Sequence, residues 1–577
     1  MVINTANLKV LLPSLILGII IFLLPLHYGV CKGIFANENS ACNLLLLLSL
    51  LGLPKFVQQF WSKRTIGLNT IDYIIGICLL YGICSYCTHQ NAAPYILYKW
   101  GATLIVYWWI RSHTLQLNTI LVASCLSGTI QTILAIGQIQ GWLASPNAFF
   151  QITGSFGNPG PLGGYIAITW IISLGLLVYT IKKPHKIGIS LLLLSLTIQS
   201  YGLYLTDSRA AWIASLSGFI CFISFYNPKK INIFFQKRRI TKITLAIGLF
   251  CIIAGLMYSH RPASANARLL IGRVSANMIA DSPIFGHGPE SFSKKYMLYQ
   301  AEYFKQHPDT EWALIADNVI YPFNELIGIT VEFGILGLFL IICLLYLTFT
   351  FQSQTTESQI CKSALFTLLI FSLFSYPSDI FPLWIFYVLF IGCINNQNIK
   401  SLTIPRLITI FILISISISM IWIIQGKTRI ERVSASLFLL YQGTDTIKDK
   451  DYERMKHNSF FNDYYMTWLS KQSRLESHLK KRIKDILPSC EGFCHLGNYY
   501  MEQNKFIQAE YYYRWASYMI PTRMQPQYLL WQLYVTTGEK EKARRVAHTI
   551  IEMPLKVENT YTLKIKRRMK EYLSQKH

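Results

Sequence analysis

The sequence predicts an all-α, polytopic membrane protein of about 12–13 transmembrane helices followed by a soluble tail of helical repeats. Two features carry that expectation. Only 14% of the 577 residues are charged against 52% hydrophobic, whereas soluble domains carry about 25% charged residues. The apolar residues also arrive in blocks of roughly 17–25, the length that crosses about 30 Å of hydrocarbon. From about Lys427 the composition turns charged and aromatic with a helical period.

Taken in order, the expected spans are 8–30, 41–54, 70–88, 95–111, 119–142, 162–181, 187–206, 209–226, 242–258, 325–351, 361–377, 380–396 and 404–424. The first apolar run is long and has no small-residue cleavage site, so it reads as an anchor rather than a cleaved leader. Lys and Arg set the orientation. With a cytoplasmic N-terminus, the inner segments hold Lys55, Lys63, Arg64, Arg111, Lys182, Lys183, Lys186, Lys229, Lys230 and Lys362, while the short outer loops hold little beyond Lys32 and Arg209. Nine spans then put the 259–324 loop outside, and thirteen put the tail there too. The chain thus divides into a membrane domain, 1–425, and an outer tail, 426–577. Its formal charge of +24 follows from inward-facing cations plus a basic tail, which argues against nucleic-acid binding.

The thirteen cysteines sit mostly alone in apolar spans, where Cys is a small hydrophobe. Cys84 and Cys87 lie inside a span, and Cys490 and Cys494 lack a second ligand pair, so neither a metal nor a disulfide is expected. In the tail, residues 490–523 carry Phe493, Leu496, Gly497, Tyr500, Ala509, Tyr513, Ala516 and Pro521. The pattern returns 34 residues later with Tyr534 and Ala543. That spacing over 490–555 matches the tetratricopeptide repeat, whose stacked helix pairs bury a shared core and offer a binding surface. The tail is expected either to dock a partner or simply to cap the membrane domain.

The loop 259–324 is the segment least accounted for by topology. Loops longer than about 12–15 residues are usually functional or disordered, and this one carries Phe and Tyr throughout, with Trp312. Two further outer segments converge on it. Gln138 and Gly141 end the fifth span, and an uncharged turn, 153–165, enters the sixth. Its Gly, Pro and Asn content suits irregular backbone lining a cavity. The turn LeuThrAspSerArgAlaAlaTrp at 205–212 holds an Arg that is costly at a membrane face unless it meets an anion, and the guanidinium fork suits phosphate. The loop itself supplies Arg268 and Arg273. On a helix their five-residue spacing leaves them about 140° apart, so both need not serve one ligand. Arginines from distant segments can clamp a pyrophosphate and stabilise it as it departs.

The order of these motifs resembles the O-antigen ligase and polymerase superfamily, which includes bacterial protein O-oligosaccharyltransferases. The matching residues are Gln138 and Gly141; Gly154, Phe156, Asn158 and Pro159; Ser208, Arg209 and Ala210; Arg268 with Pro283, Gly286 and Gly288; and Asn324, Glu332, Gly334 and Gly337. They cover roughly 120–345. The resemblance implies a GT-C-like ligase fold in the bacterial inner membrane with its active loop periplasmic. It implies metal-independent, cofactor-free transfer, with inversion, of an undecaprenyl-pyrophosphate-linked glycan to lipid A-core or a protein hydroxyl. Arg209, Arg268, Asn324, Glu325 and His287 are then candidates for catalysis. Gln138, Asn158, Ser208, Arg273 and Asp317 are candidates for substrate binding. The chain departs from the family pattern where a His precedes the Asn, because Phe323 stands there, and Gly272 replaces a Trp. The base that accepts the acceptor proton is left open among His287, His307, Glu325, Glu290 and Asp317. A repeat-unit polymerase uses the same chemistry. A lipid-glycan transporter is an alternative of another class, disfavoured by the absence of a clear internal repeat and by charges that gather at the outer face, and a non-catalytic scaffold using the tail is a third, kept open by the missing His.

Overall fold

The computed structural model describes residues 5–30, 36–58, 65–89, 95–147, 149–182, 186–226, 262–308, 310–351, 355–395, 400–403, 424–425, 488–556 and 558–575. The expected spans 242–258 and 404–424, the loop's first residues and the tail from 426 to 487 lie outside the described residues. What is described is all-α and polytopic. Seven helices are long and apolar enough to cross a membrane, and two shorter apolar ones accompany them.

The membrane part comprises α1 (Thr5–Val30), α2 (Ala36–Val57), α3 (Thr70–Thr88), α4 (Tyr95–Ser112), α5 (Leu117–Ile139), α6 (Pro159–Ile181), α7 (Lys186–Leu205) and α8 (Arg209–Tyr226). The loop supplies α9 (Pro262–Asp281) and α10 (Ser291–Gln306), followed by α11 (Glu325–Thr350), α12 (Thr356–Ser372) and α13 (Phe381–Ile394). Helix α6 is central, packed against α5, α7, α8 and α12. The expected span 361–377 is displaced to α12 for a local reason. The Thr355 hydroxyl caps the N–H of Ser358, and a 3₁₀ turn at Pro377–Asp379 ends the helix early.

The two ends of the bundle differ in chemistry. At the end remote from the loop, Arg111 pairs with Asp72 at 3.0 Å, both nearly buried, and donates to the Asn395 carbonyl at 2.6 Å. Tyr107 donates to Asp72, Asn395 to Tyr107, and an Asn69–Asn395 amide contact completes the knot. A two-stranded antiparallel ribbon, Thr65–Leu68 with Lys400–Thr403, lies at this end. Sequence periodicity did not announce it, since four residues are too few to show a period of two.

The tail comprises α14 (Cys490–Glu502), α15 (Phe506–Met519), α16 (Met524–Thr536), α17 (Lys540–Glu552) and α18 (Thr560–Ser574). The starts of α14 and α16, and of α15 and α17, are offset by the 34 residues read in the sequence. Tyr500, Tyr534, Ala509 and Ala543 are all buried. Helix α15 packs against loop helix α10, and Gln300 there donates to the Met519 carbonyl at 2.7 Å. Lys556 donates to the Ala316 carbonyl at 2.9 Å, and Asn318 to Glu491 at 2.8 Å. Tail and loop therefore lie on one side of the membrane domain, whatever the span count.

Candidate active site at the loop face

The turn 153–158 is built from within. The buried Gln138 side chain accepts from the N–H groups of Thr153 and Gly154 at 2.8 and 2.9 Å and donates to the Gly154 carbonyl at 2.8 Å. Gln131 accepts from the Ser155 N–H and hydroxyl. Asn158 accepts from the Gly160 N–H at 2.8 Å and so caps α6. Buried amides satisfied in this way hold irregular backbone in place. Gln138 and Asn158, expected to bind substrate, instead shape the turn: their oxygens are already engaged. The start of α6 abuts the 206–208 turn closely, since a Cβ on Gly163 would lie 2.8 Å from that of Ser208. Asp207 there adopts φ 47, and Ser208 opens α8, which places the half-buried Arg209 at the helix N-terminus.

Loop helix α9 carries Arg268 to the same place. Burial, and then the neighbouring charge of Arg209, lower the Arg268 pKa from its ordinary value. Its guanidinium carbon sits 5.8 Å from the centre of the Phe323 ring, a cation–π distance. No carboxylate pairs with Arg268 among the described residues. Two like charges held within electrostatic reach in a partly buried setting favour an anion between them. Arg273 is exposed on another side of α9 and does not join the pair.

The loop is fixed to α11 by an interlock of two glycine motifs. Inside α11, Gly334 takes φ 66 and ψ −172, which breaks the helix and frees backbone groups. The segment 283–288 satisfies them. Ile335 N–H donates to the Pro283 carbonyl at 2.9 Å, while His287 and Gly288 N–H donate to the Val331 and Glu332 carbonyls, each at 2.9 Å. A Cβ on Gly334 would lie 2.1 Å from the Ile284 oxygen, and one on Gly286 would lie 2.5 Å from the Glu332 carbonyl. Tyr81 donates to the Phe333 carbonyl at 2.7 Å. The Pro-x-x-Gly-x-Gly and Glu-x-Gly motifs are thus two halves of one joint.

His287 is committed to that joint. Its Nε2 lies 2.7 Å from the Met278 carbonyl and its Nδ1 3.1 Å from Lys295 Nζ. With both nitrogens engaged, the ring is a latch and not a free base. Burial is the largest influence on it and lowers its pKa. Lys295 and His89 push the same way, against the Met278 carbonyl and Asp281. The unfolded chain therefore takes up a proton near pH 6.5 that the folded site resists, so the latch's stabilisation is complete above that pH and is lost as the pH falls. Cleavage of the 283–288 segment by added protease should rise between pH 7.5 and 5, and His287→Gln should flatten that dependence.

Beyond the joint, Phe323 adopts φ 52, and its ring meets Tyr376 edge-on at 5.2 Å. Tyr321 stacks on the same Tyr376 at 4.0 Å. Asn324 caps α11, accepting from the Leu326 and Ile327 N–H groups at 3.0 and 3.2 Å. Glu325 accepts from the Ser378 N–H at 2.8 Å and its hydroxyl at 2.7 Å. Of the other base candidates, Glu290 pairs with Lys294 at 2.9 Å. His307 stacks on Tyr303 at 4.6 Å.

Asp317, expected to bind substrate, instead meets the tail through Lys556 at 3.1 Å and Arg523 at 3.9 Å. Arg523 also pairs with Glu491. Because Asp317 is exposed, Asp317→Asn should cost only about 0.5 kcal/mol. In a thermal melt of the detergent-solubilised chain, any drop of several degrees would contradict that.

Sequence reasoning missed Lys99, Ser378 and Asp379. Each carried a signal: Lys99 is an ionisable residue inside a span, and Ser378–Asp379 is a polar turn between two apolar runs.

The residues just described from Arg209 to Gly337 fall within 191–342, which matches the family model for O-antigen ligase. Over this segment the chain is similar to O-antigen ligases. Curated relatives carry names that assign them provisionally as polysaccharide ligases. One from Rickettsia conorii is 30% identical over 191 residues, covering 31% of this chain and 43% of that protein. One from Rickettsia felis is 30% identical over 189 residues with the same coverage, and one from Rickettsia typhi is 35% identical over 163 residues, covering 25% and 36%. The chain thus spans less than half the length of these relatives. The O-antigen ligase match takes in both arginines and both halves of the joint, and the tail lies outside it.

Proposed function

We propose that the loop face is the active site of a glycan ligase in a bacterial inner membrane. It takes a saccharide from an undecaprenyl-pyrophosphate carrier at the periplasmic side and joins it to an acceptor hydroxyl on lipid A-core or on protein. The supporting observation is the convergence of Arg209 and Arg268 from distant segments into one partly buried pair. That arrangement offers two forked donors to a pyrophosphate without a bridging carboxylate at Arg268.

In the reaction, the acceptor oxygen forms a bond to the anomeric carbon as the bond from that carbon to the pyrophosphate oxygen breaks, with inversion. The electron pair leaves on the pyrophosphate, where the arginines stabilise the growing charge. The hydroxyl proton passes to a carboxylate within hydrogen-bond reach. Glu325 is the strongest choice because each of its oxygens, oriented by one Ser378 donor beside the aromatic cluster that contacts Arg268, keeps a second lone pair for a proton, which an engaged imidazole nitrogen does not. The interlock at Gly334 keeps α9 against α11, and so keeps Arg268 and Glu325 at one end of the bundle.

The test is to delete the gene and analyse the cell's glycoconjugates. Loss of all attached glycan supports a ligase, single attached units with chain growth lost identify a polymerase, and an unchanged profile overturns the reading.

A further inference from the structure

The turn Pro377–Asp379 is clamped from several sides by residues far away in sequence. Lys99, a buried cation inside α4, donates to the Ser378 carbonyl at 2.6 Å, and its ammonium rests 4.2 Å from the centre of the Trp384 ring. The opposite side of the same residue, its N–H and hydroxyl, donates to Glu325. Asn37 holds the next peptide: its amide donates to the Asp379 carbonyl at 2.7 Å, and its oxygen accepts from Phe381 N–H at 2.9 Å. Three helices, α2, α4 and α11, therefore meet on the turn that leads into α13.

A buried lysine is expensive in a span unless its charge is used. Among the described residues the close contacts of Lys99 are a carbonyl and a ring, with no direct ion pair. Its charge reaches Glu325, Asp379 and Glu332, on each of which burial is the larger influence. Tyr387 also faces Glu325, and Glu290 faces Asp379.

We propose that Lys99 and Ser378 are positioning residues for Glu325. Lys99 holds the Ser378 peptide, and Ser378 aims both carboxylate oxygens at the site. The inference rests on the ligase reading and deepens it, because it names what prepares the proton acceptor for each turnover. In the step itself the hydroxyl proton moves to a Glu325 oxygen while the Ser378 donors stay in place.

The test uses the full chain in membrane vesicles, with lipid-linked glycan extracted from the same cells as donor and bare undecaprenyl pyrophosphate as the binding probe. Ser378→Ala removes one of the two donors to a charged group, so kcat should fall by about one to two orders of magnitude. Donor KM and binding of undecaprenyl pyrophosphate should stay within about twofold of the parent. Ser378→Thr restores the hydroxyl and should recover most of the rate. Lys99→Met should lower kcat at least as far, again with the probe bound normally. Should Lys99→Met fail to insert, the Ser378 pair, at a partly exposed position, decides the matter. Full kcat in Ser378→Ala, no recovery in Ser378→Thr, or a loss carried by donor KM overturns the assignment. A different result overturns the underlying reading: Arg268→Ala binding undecaprenyl pyrophosphate as tightly as the parent.

Discussion

Replacing Arg268 with alanine is expected to abolish glycan transfer, by about 10³-fold or more, while the chain still inserts in the membrane. Arg209→Ala should do the same. The size follows from the setting: a cation in a partly buried site acts on developing charge through a lower effective dielectric than water. The two guanidinium groups also repel each other, so binding the pyrophosphate relieves a cost. Because both address one leaving group, the double variant should be scarcely worse than either single one, which is the signature of residues acting as a unit. Arg273→Ala is the internal control. It lies on the same helix but outside the pair, so transfer should stay within about threefold of the parent, as for exposed charges generally. The measurement is transfer to acceptor in membranes, normalised to inserted protein. Full transfer in both Arg209→Ala and Arg268→Ala would remove the pyrophosphate clamp from consideration.

Gly334→Ala should destabilise the chain by about 3 kcal/mol or more, from one methyl group. The position adopts a backbone conformation open almost only to glycine. The added carbon would also meet the Ile284 carbonyl at 2.1 Å, backbone that cannot swing aside as a flexible side chain does. Relief requires the 283–288 segment to leave α11, which strands the carbonyls of Val331 and Glu332 and the N–H of Ile335 without partners. Folded protein recovered from membranes should drop several-fold, and protease should cut the loop. Gly272→Ala provides the contrast. It sits within α9 with its nearest neighbour 4.0 Å from the added carbon, so the change should be neutral or stabilising by about 0.5–1 kcal/mol. Equal stability of the Gly334→Ala chain and its parent would show that the joint is not what holds the loop.

Much of this molecule was legible before any coordinates. The blocks of apolar residues are set by bilayer thickness, a one-dimensional requirement that each segment meets alone. The 34-residue return of Tyr500 at Tyr534, and of Ala509 at Ala543, works the same way because each helix pair packs on its neighbour in sequence. The angular separation of Arg268 and Arg273 was accessible too, since it depends on a single helix period, but the sequence left Arg273 a substrate-binding candidate. The glycines of 283–288 and 334 stood out as a motif, but nothing in their spacing said that they answer each other.

The roles of the polar residues were the part that composition could not assign. Gln138, Asn158, Asn324, His287 and Asp317 are the kinds of side chain that bind substrates. They are equally the kinds that cap helices, latch loops and anchor a neighbouring domain. A hydrogen-bonding group declares its role only through its partner, and the partners here are 15 or more residues away for Gln138 and 239 for Asp317. The sequence by itself determined the apolar blocks that build the bundle and the 34-residue period of the tail, because these follow from local periodicity. Only the tertiary structure decided that Arg209 meets Arg268, that Lys99 reaches Glu325 through Ser378, and that Asp317 belongs to the tail. Those are contacts between helices remote in the chain, and electrostatics in a partly buried site depends on distances that no one-dimensional pattern encodes.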